Sequence, residues 1–308
     1  MFRTSLHPFS KLLSQRPYAN ANIINACFCA FRKDDSAKVV KSWIELDSIP
    51  KKIKPYLRLA RADKQVGTAL LFWPCLWSIA LAAPQGTYPD PITSLKFAVG
   101  ALIMRSAGCI INDMWDRDFD KYVERTKDRP LASGEITMQN AILFLGLNLS
   151  AGLGILTSLN MSCIQLGFMI MPMVIAYPAM KRFTYFPQLF LGMTFNWGAL
   201  MGWAAVAGES SIYHTLPLYI SGVCWTLVYD TLYGYQDIKD DKHLGLKSTS
   251  IYLGDNPRGP LSVIACGMEG GLLVTGLIND LSPVYFVLVG ISICFKAFIL
   301  IIKNCFSF

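Results

Sequence analysis

Charge is what this chain is short of. Asp, Glu, Lys and Arg make up 16% of its 308 residues while 53% are hydrophobic, against roughly 25% charged in a soluble domain. That balance excludes an ordinary soluble protein and leaves a membrane protein. Histidine is scarce too: His7, His214 and His243 are the only three, and no two of them stand at metal-ligand spacing. There is no P-loop, no Gly-x-Gly-x-x-Gly phosphate loop and no nucleophile elbow. Cysteine is present at nine positions, but six lie inside apolar runs, and Cys27-Phe28-Cys29 lacks a second pair. These thiols read as small apolar fillers, with no disulfide framework and no zinc site. No nucleic-acid partner is expected.

Acid is missing altogether from the first 33 residues, which carry Arg3, Lys11, Arg16, Arg32 and Lys33 among several Ser and Thr before Asp34 appears. A secretory signal would need an unbroken apolar core, and Ile23 to Phe31 is interrupted by Asn25. The pattern predicts a mitochondrial transit peptide and linker over residues 1–46, cleaved somewhere before about Asp47. Residues 47–308 are then a single intramembrane domain.

What the chain does have is long apolar runs. Eight are long enough to cross a bilayer: 66–83, 93–111, 139–158, 162–179, 188–206, 215–232, 261–278 and 283–302. The loops after the second, fourth and sixth hold Arg117, Lys121, Arg125, Lys127, Arg129, Lys181, Arg182, Lys239, Lys242, Lys247 and Arg258. The loops after the odd-numbered spans hold none, with Lys96 at the start of the second span the nearest exception. By the positive-inside rule both termini and all even-numbered loops share one side, the matrix in a mitochondrial inner-membrane protein.

The second run ends in Asn112-Asp113-Met114-Trp115-Asp116-Arg117-Asp118-Phe119-Asp120. If the helix continues, Asn112, Asp116 and Asp120 fall at i, i+4 and i+8, and Asp113, Asp116 and Asp120 at i, i+3 and i+7, largely on one face. Like charges so close repel, and a divalent cation between them relieves the repulsion. Hard oxygen ligands of this kind suit Mg²⁺. A solvated acidic helix end is the plainer reading. The sixth run weighs against it, because Asp230, Tyr233, Asp237 and Asp241 emerge there on the same side. Tyr233, Asp237 and Asp241 repeat the i, i+4, i+8 spacing, and the two Asp-x-x-x-Asp pairs read as one site.

Arg58, Arg61 and Lys64 precede the first span on that side; Arg125 and Arg129 follow the first motif, and Lys242 and Lys247 accompany the second. Each has a role as a positive-inside anchor, yet carboxylate-held metal with cations beside it also makes a receptor for a polyanion such as pyrophosphate. Arg129-Pro130-Leu131-Ala132-Ser133-Gly134 carries turn chemistry and predicts an ordered loop able to cover the site. Arg105 lies inside the second span, seven residues before Asn112 and on its face. A charge there is costly and marks a functional position or a structural pair; a small substrate's carboxylate would suit its bidentate fork. Aromatic and Met side chains fill the spans, most as packing or interface belt, with some left to line a tunnel for a long isoprenoid chain.

Asn112-Asp113-x-x-Asp116-x-x-x-Asp120 with Arg125-Thr126-x-x-Arg129-Pro130-Leu131-x-Ser133-Gly134 resembles the first signature of the UbiA superfamily of intramembrane prenyltransferases. Tyr229-Asp230-Thr231-x-Tyr233-x-x-Gln236-Asp237-x-x-Asp240-Asp241-x-x-x-Gly245-x-Lys247-Ser248-Thr249 resembles the second. Tyr56-x-Arg58-x-x-Arg61-x-Asp63-Lys64-x-x-Gly67 and Trp73-Pro74-Cys75-x-Trp77-Ser78 are similar to the first helix of the branch acting on 4-hydroxybenzoate. The match runs from about residue 53 to 255, and Gln236 with Ile111-Asn112-Asp113-Met114-Trp115-Asp116 points to the ubiquinone pathway of mitochondria.

The resemblance implies an all-α ring around a central cavity in the lipid bilayer, with Mg²⁺ on the two Asp motifs and a polyprenyl diphosphate bridging the metals. It implies transfer of the polyprenyl group to the ring carbon ortho to the hydroxyl of 4-hydroxybenzoate or a close aminated analogue, alongside other ubiquinone-pathway enzymes. On that footing Asp113, Asp116, Asp120, Asp237 and Asp241 are expected to bind metal with Asn112 assisting, and Arg125, Arg129, Lys242 and Lys247 to meet pyrophosphate. Arg58, Arg61, Lys64 and Tyr233 are expected nearby, Arg105 at the aromatic carboxylate, and Asp237 or Asp230 in proton removal. The family pattern has nine spans, and here Phe295 to Asn304 leads straight to Phe308, so the ninth is expected to be missing, as in a splice form or an incomplete gene model. A non-catalytic or altered-specificity form, and a membrane carrier for a cation or phosphorylated solute, are the alternatives; a carrier would hold its site near the bilayer midplane.

Overall fold

A computed structural model describes residues 49–123, 126–236, 238, 242 and 245–292. The predicted transit segment, Arg125, Asp237, Asp241 and the end of the eighth predicted span lie outside these. From Lys51 onward the described residues belong to one unit, and every element among them is helical.

In chain order the helices are α1 Lys54–Leu59, α2 Val66–Ala82, α3 Pro91–Asp120, α4 Met138–Thr157, α5 Met161–Ala176, α6 Met180–Phe183, α7 Pro187–Asn196, α8 Gly198–Ala207, α9 Ile212–Gly234, α10 Thr249–Leu253 and α11 Arg258–Ile278. The described part of a twelfth, α12, covers Pro283–Ser292. A 3₁₀ turn, Tyr177–Ala179, joins α5 to α6. The first seven predicted spans thus coincide with helix, as does the described part of the eighth. Five stretches are long and apolar enough to cross a membrane: Pro91–Asp120, Met138–Thr157, Met161–Phe183, Pro187–Ala207 and Arg258–Ile278.

α3 positions the site. Pro91 occupies its first turn, and the Asp90 carboxylate accepts from Ile92 N and Thr93 N at 3.4 and 2.8 Å, an N-cap that fixes where the helix begins. Thirty residues at 1.5 Å rise make about 45 Å, well beyond the roughly 30 Å of a hydrocarbon core. The segment from Asn112 to Asp120 therefore stays helical past the apolar zone, and the conditional i, i+3, i+7 geometry holds.

The helices pack through small residues, as membrane helices do in the absence of a hydrophobic drive between them. A Cβ on Gly198 would lie 2.3 Å from Cys75 Sγ, and one on Gly202 2.4 Å from the Cys75 carbonyl, so α8 rests directly on the backbone of α2. Polar locks add to this: Ser221 Oγ of α9 donates to Met268 O of α11 at 2.7 Å. Asn196 Nδ2 donates to Gly192 O at 2.8 Å and to Thr226 Oγ1 of α9 at 2.9 Å. The predicted fifth span is carried by α7 and α8, consecutive stretches that meet at Trp197, whose own backbone is helical at φ −55° and ψ −26°.

The two ends of the bundle differ. At one, the end of α3 meets the segments before α2, after α3, around α6 and after α9. At the other, Lys96 Nζ donates to Ser158 O at 2.9 Å and Ser162 Oγ to Gly208 O at 2.8 Å, and His214 Nδ1 stands 3.2 Å from Asn279 Oδ1. The described basic loops gather at the first end, as the loop charges predict. There a core cluster of Leu59, Ile110, Leu131, Ile136 and Ala141 ties α1, α3, α4 and the loop between the last two together.

Candidate active site

Continued helix decides which acids face inward. Asp113, Asp116 and Asp120 are buried, at 1, 9 and 7% exposure, and Asn112 is half-buried beside them. Asp118 points outward, paired with Arg117 and Lys121 at 3.1 and 3.0 Å. Three carboxylates on one buried face would be prohibitive alone; four cations from three segments of the fold converge on them.

Arg61 Nη2 donates to Asp113 Oδ1 at 2.8 Å. The Arg61 backbone adopts φ 55° in the turn between α1 and α2, a left-handed conformation uncommon for a residue with a side chain and often associated with functional sites. Burial works against its charge, yet Asp113 beside it holds the guanidinium above its ordinary pKa. Arg129 Nη1 bridges Asp113 Oδ1 at 3.2 Å and Asp120 Oδ2 at 2.7 Å. The loop that carries Arg129 is ordered as its sequence predicts: Ser133 N donates to Arg129 O, Ile136 N to Pro130 O, Gly134 takes φ 82°, and Leu131 is buried in the core.

Asp116 is held more loosely. Lys181 Nζ lies 3.7 Å from its Oδ2 and Arg182 Nη2 3.9 Å from its Oδ1. Arg182 also donates to Trp115 O at 2.9 Å and lies over the Phe119 and Trp115 rings at 4.9 and 5.7 Å, contacts that pin the projecting end of α3. The same segment reaches the second motif: Lys247 N donates to Lys181 O at 2.8 Å and Lys247 Nζ to Phe183 O at 3.2 Å. Gln188 Oε1 accepts from Thr249 N and Thr249 Oγ1 at 3.1 and 2.8 Å, and Ser250 Oγ donates to Thr231 O at 2.8 Å. The chain after α9 is thereby fastened beside Asp116.

The other expected residues distribute unevenly. Asp230 is half-buried near the end of α9, and Tyr233 and Lys242 are exposed. Arg58 pairs with Glu135 instead of an α3 carboxylate, and Lys64 is exposed. Arg125, Asp237 and Asp241 lie outside the described residues. Sequence reasoning missed Lys181 and Arg182 as site groups, having read them as topology charges; their place at the exit of the fourth span, on the side of the acids, is the signal that could have found them.

Below the carboxylates lies a cavity of about 350 Å³ bounded by α2, α3, α4, α5, α7 and α8. Its wall is apolar apart from a few groups, among them Arg105, Tyr177, Thr194 and Lys96, and the Lys96 ammonium is engaged by Ser158 O. Of the charges on the cavity wall Arg105 is the nearer to the acids, about 10 Å along α3 from Asn112 by helical rise. Among the described residues its guanidinium makes no hydrogen bond or ion pair and lies 5.5 Å from the Phe195 ring centroid. The cavity can hold a hydrocarbon chain, with cationic and carboxylate groups at one end for an anionic, metal-associated head.

Among the described residues no group of three or more His, Cys, Asp and Glu side chains is closed around a metal position. The donors nevertheless suit a hard divalent ion: among the described residues Asp113 Oδ2 is buried without a hydrogen-bond partner, and the Asp116 oxygens meet only the long ion pairs already given. Oxygen donors of this type match Mg²⁺.

The UbiA prenyltransferase family pattern matches residues 71–304. A protein named "4-hydroxybenzoate polyprenyltransferase, mitochondrial" from Drosophila melanogaster is 49% identical over 263 residues, covering 85% of this chain and 67% of that protein. One of the same name from Aedes aegypti is 54% identical over 237 residues, 77% of this chain and 54% of that one. The chain thus spans about half to two thirds of the length of these curated relatives. Among solved structures, a UbiA homolog from Archaeoglobus fulgidus bound to GPP and Mg²⁺ superposes with a TM-score of 0.62 at 18% identity, over 82% of this chain and 87% of that one.

Proposed function

The chain belongs to the UbiA prenyltransferase family, and from that premise we propose that it transfers a polyprenyl group from polyprenyl diphosphate to the ring carbon ortho to the hydroxyl of 4-hydroxybenzoate. The observation that carries the reading is the convergence of Arg61, Arg129, Lys181 and Arg182 on Asp113, Asp116 and Asp120 beside an apolar cavity. Relatives about half identical bear the name of this activity, and a homolog of the same fold is described with GPP and Mg²⁺ bound.

In this reading Asp113, Asp116 and Asp120, assisted by Asn112 and joined by Asp237 and Asp241, would hold Mg²⁺. When bound, the metal supplies Lewis-acid stabilisation of charge on the departing pyrophosphate. Arg129, Arg61, Lys181 and Arg182, with Arg125, Lys242 and Lys247, provide fixed positive charge where that anion collects. The apolar wall takes the first isoprene units and keeps water from the cation-like allylic carbon. Arg105 donates to the acceptor carboxylate, which orients the electron-rich ring toward that carbon, and Asp230 or Asp237 accepts a proton as the ring regains aromaticity. Arg58, Lys64 and Tyr233 stand at the margin and shape approach to the site.

The same reading has eight membrane crossings in a ring and residues 1–46 as transit peptide. It places the chain in the mitochondrial inner membrane with this site facing the matrix, near other enzymes of ubiquinone synthesis. The test is a product assay on purified protein in lipid, supplied with polyprenyl diphosphate, 4-hydroxybenzoate and Mg²⁺. Ring-prenylated acid is expected, absent when any one component is omitted; no product with all three present, or the same product without acceptor selectivity, contradicts the proposal.

A further inference from the structure

Gly67 stands in the first turn of α2, a place where alanine is the better helix former. What it faces is the Arg105 side chain: a Cβ built on Gly67 would lie 2.4 Å from Arg105 Nε and 2.8 Å from both Cζ and Nη2. The guanidinium thus lies flush on the α2 backbone. Across the cavity wall it meets the Phe195 ring at 5.5 Å, and its buried Nε has no hydrogen-bond partner. Arg105 is therefore located by shape, between a missing side chain and an aromatic face, with no ion pair or hydrogen bond to a described residue fixing it. Its terminal donors remain available to a ligand in the cavity.

We propose that Gly67 is a specificity-determining position for the acceptor: its missing side chain seats the Arg105 guanidinium where it receives a carboxylate. The inference rests on the reading of Arg105 given above. The atoms a new Cβ would strike are the far end of a long, flexible side chain and not backbone. A methyl group at 67 therefore leaves the fold standing and moves the guanidinium. Displacement of a bidentate donor by about an ångström costs on the order of 100-fold in productive binding, and that loss falls on a charged acceptor alone.

The experiment compares Gly67→Ala, Arg105→Ala and the double variant, each with 4-hydroxybenzoate and with its uncharged isostere 4-hydroxybenzamide, and each checked by thermal unfolding. In Gly67→Ala the KM for 4-hydroxybenzoate should rise about 10- to 100-fold, with the KM for polyprenyl diphosphate and the unfolding temperature held. Preference for acid over amide should fall by the same factor. Arg105→Ala should abolish that preference, and the double variant should lose no more than Arg105→Ala does, because the two positions act through one group. Equal losses on acid and amide, or additive losses in the double variant, overturn the role of Gly67. If Arg105→Ala keeps the preference for acid, the assignment of Arg105 itself fails. If Arg105→Ala loses it while Gly67→Ala keeps it, the assignment stands and the Gly67 inference is overturned.

Discussion

Arg129→Met should make the protein bind Mg²⁺ more tightly in the absence of substrate and turn over more slowly in its presence. The guanidinium bridges Asp113 and Asp120 at 3.2 and 2.7 Å, so it competes with a divalent ion for carboxylate oxygens that the ion would use. At such distances and an effective dielectric near 20, each charge pair carries roughly 5 kcal/mol before solvation. Desolvation cancels most of that, and Arg61 remains on Asp113, which leaves about 1–2 kcal/mol of relief, or roughly tenfold in metal affinity. In the proposed mechanism the same charge faces the leaving pyrophosphate once substrate is bound. Loss of one preorganised donor of that kind typically costs about 10²- to 10³-fold in turnover. The assay pairs Mg²⁺-dependent thermal unfolding of the purified protein in lipid nanodiscs with initial rates of product formation. A variant whose metal binding and turnover fall together, or whose turnover stays within about threefold of the parent, would refute the reasoning.

Other expectations follow from individual contacts. Asp113→Asn removes a carboxylate that is 1% exposed and takes two charge-assisted hydrogen bonds; it should cost about 2–4 kcal/mol of stability, read by thermal unfolding, along with activity. Gly198→Val drives a side chain into Cys75 and should loosen α8 from α2 by about 1–3 kcal/mol or more, seen as a lower unfolding temperature with the Mg²⁺ dependence of the rate unchanged. Asn279→Leu removes donors to His214 O and Thr275 O at 3.1 and 2.9 Å, at the end of the bundle away from the acids. It should lower stability by about 1–2 kcal/mol and leave both substrate KM values where they are.

The long apolar helices could be read because apolar length and loop charge are strong, local signals. The extension of α3 could be read only conditionally, since nothing in Asn112–Asp120 says whether a helix continues past its apolar part; the Asp90 cap and the Arg182 contacts with Trp115 and Phe119 supply that answer. The tie between α7 and α9 is not legible because it depends on the Asn196 amide finding Thr226 on another helix. The acids were recognisable from spacing, and Arg129 from its place after them and from the family resemblance. Lys181 and Arg182 were not, because in sequence they look like any positive-inside pair, and only packing of α6 against the end of α3 sets them beside Asp116. Arg58 shows the reverse: neighbouring Arg61 in sequence, it turns to Glu135. The setting of Arg105 against Gly67 is a contact between helices, which spacing within one helix does not contain.

The central claim is that the buried face of α3 is a catalytic clamp and not a structural salt-bridge cluster. Asp116 separates the two, because its cations stand off at 3.7 and 3.9 Å and contribute at most about 1 kcal/mol to the fold. The direct measurement is formation of ring-prenylated 4-hydroxybenzoate by the parent protein and by Asp116→Asn, side by side, with unfolding temperatures recorded for both. A loss of product of about 10³-fold or more, near 4 kcal/mol in the barrier, at an unchanged unfolding temperature is the predicted result. Full turnover by Asp116→Asn would contradict it.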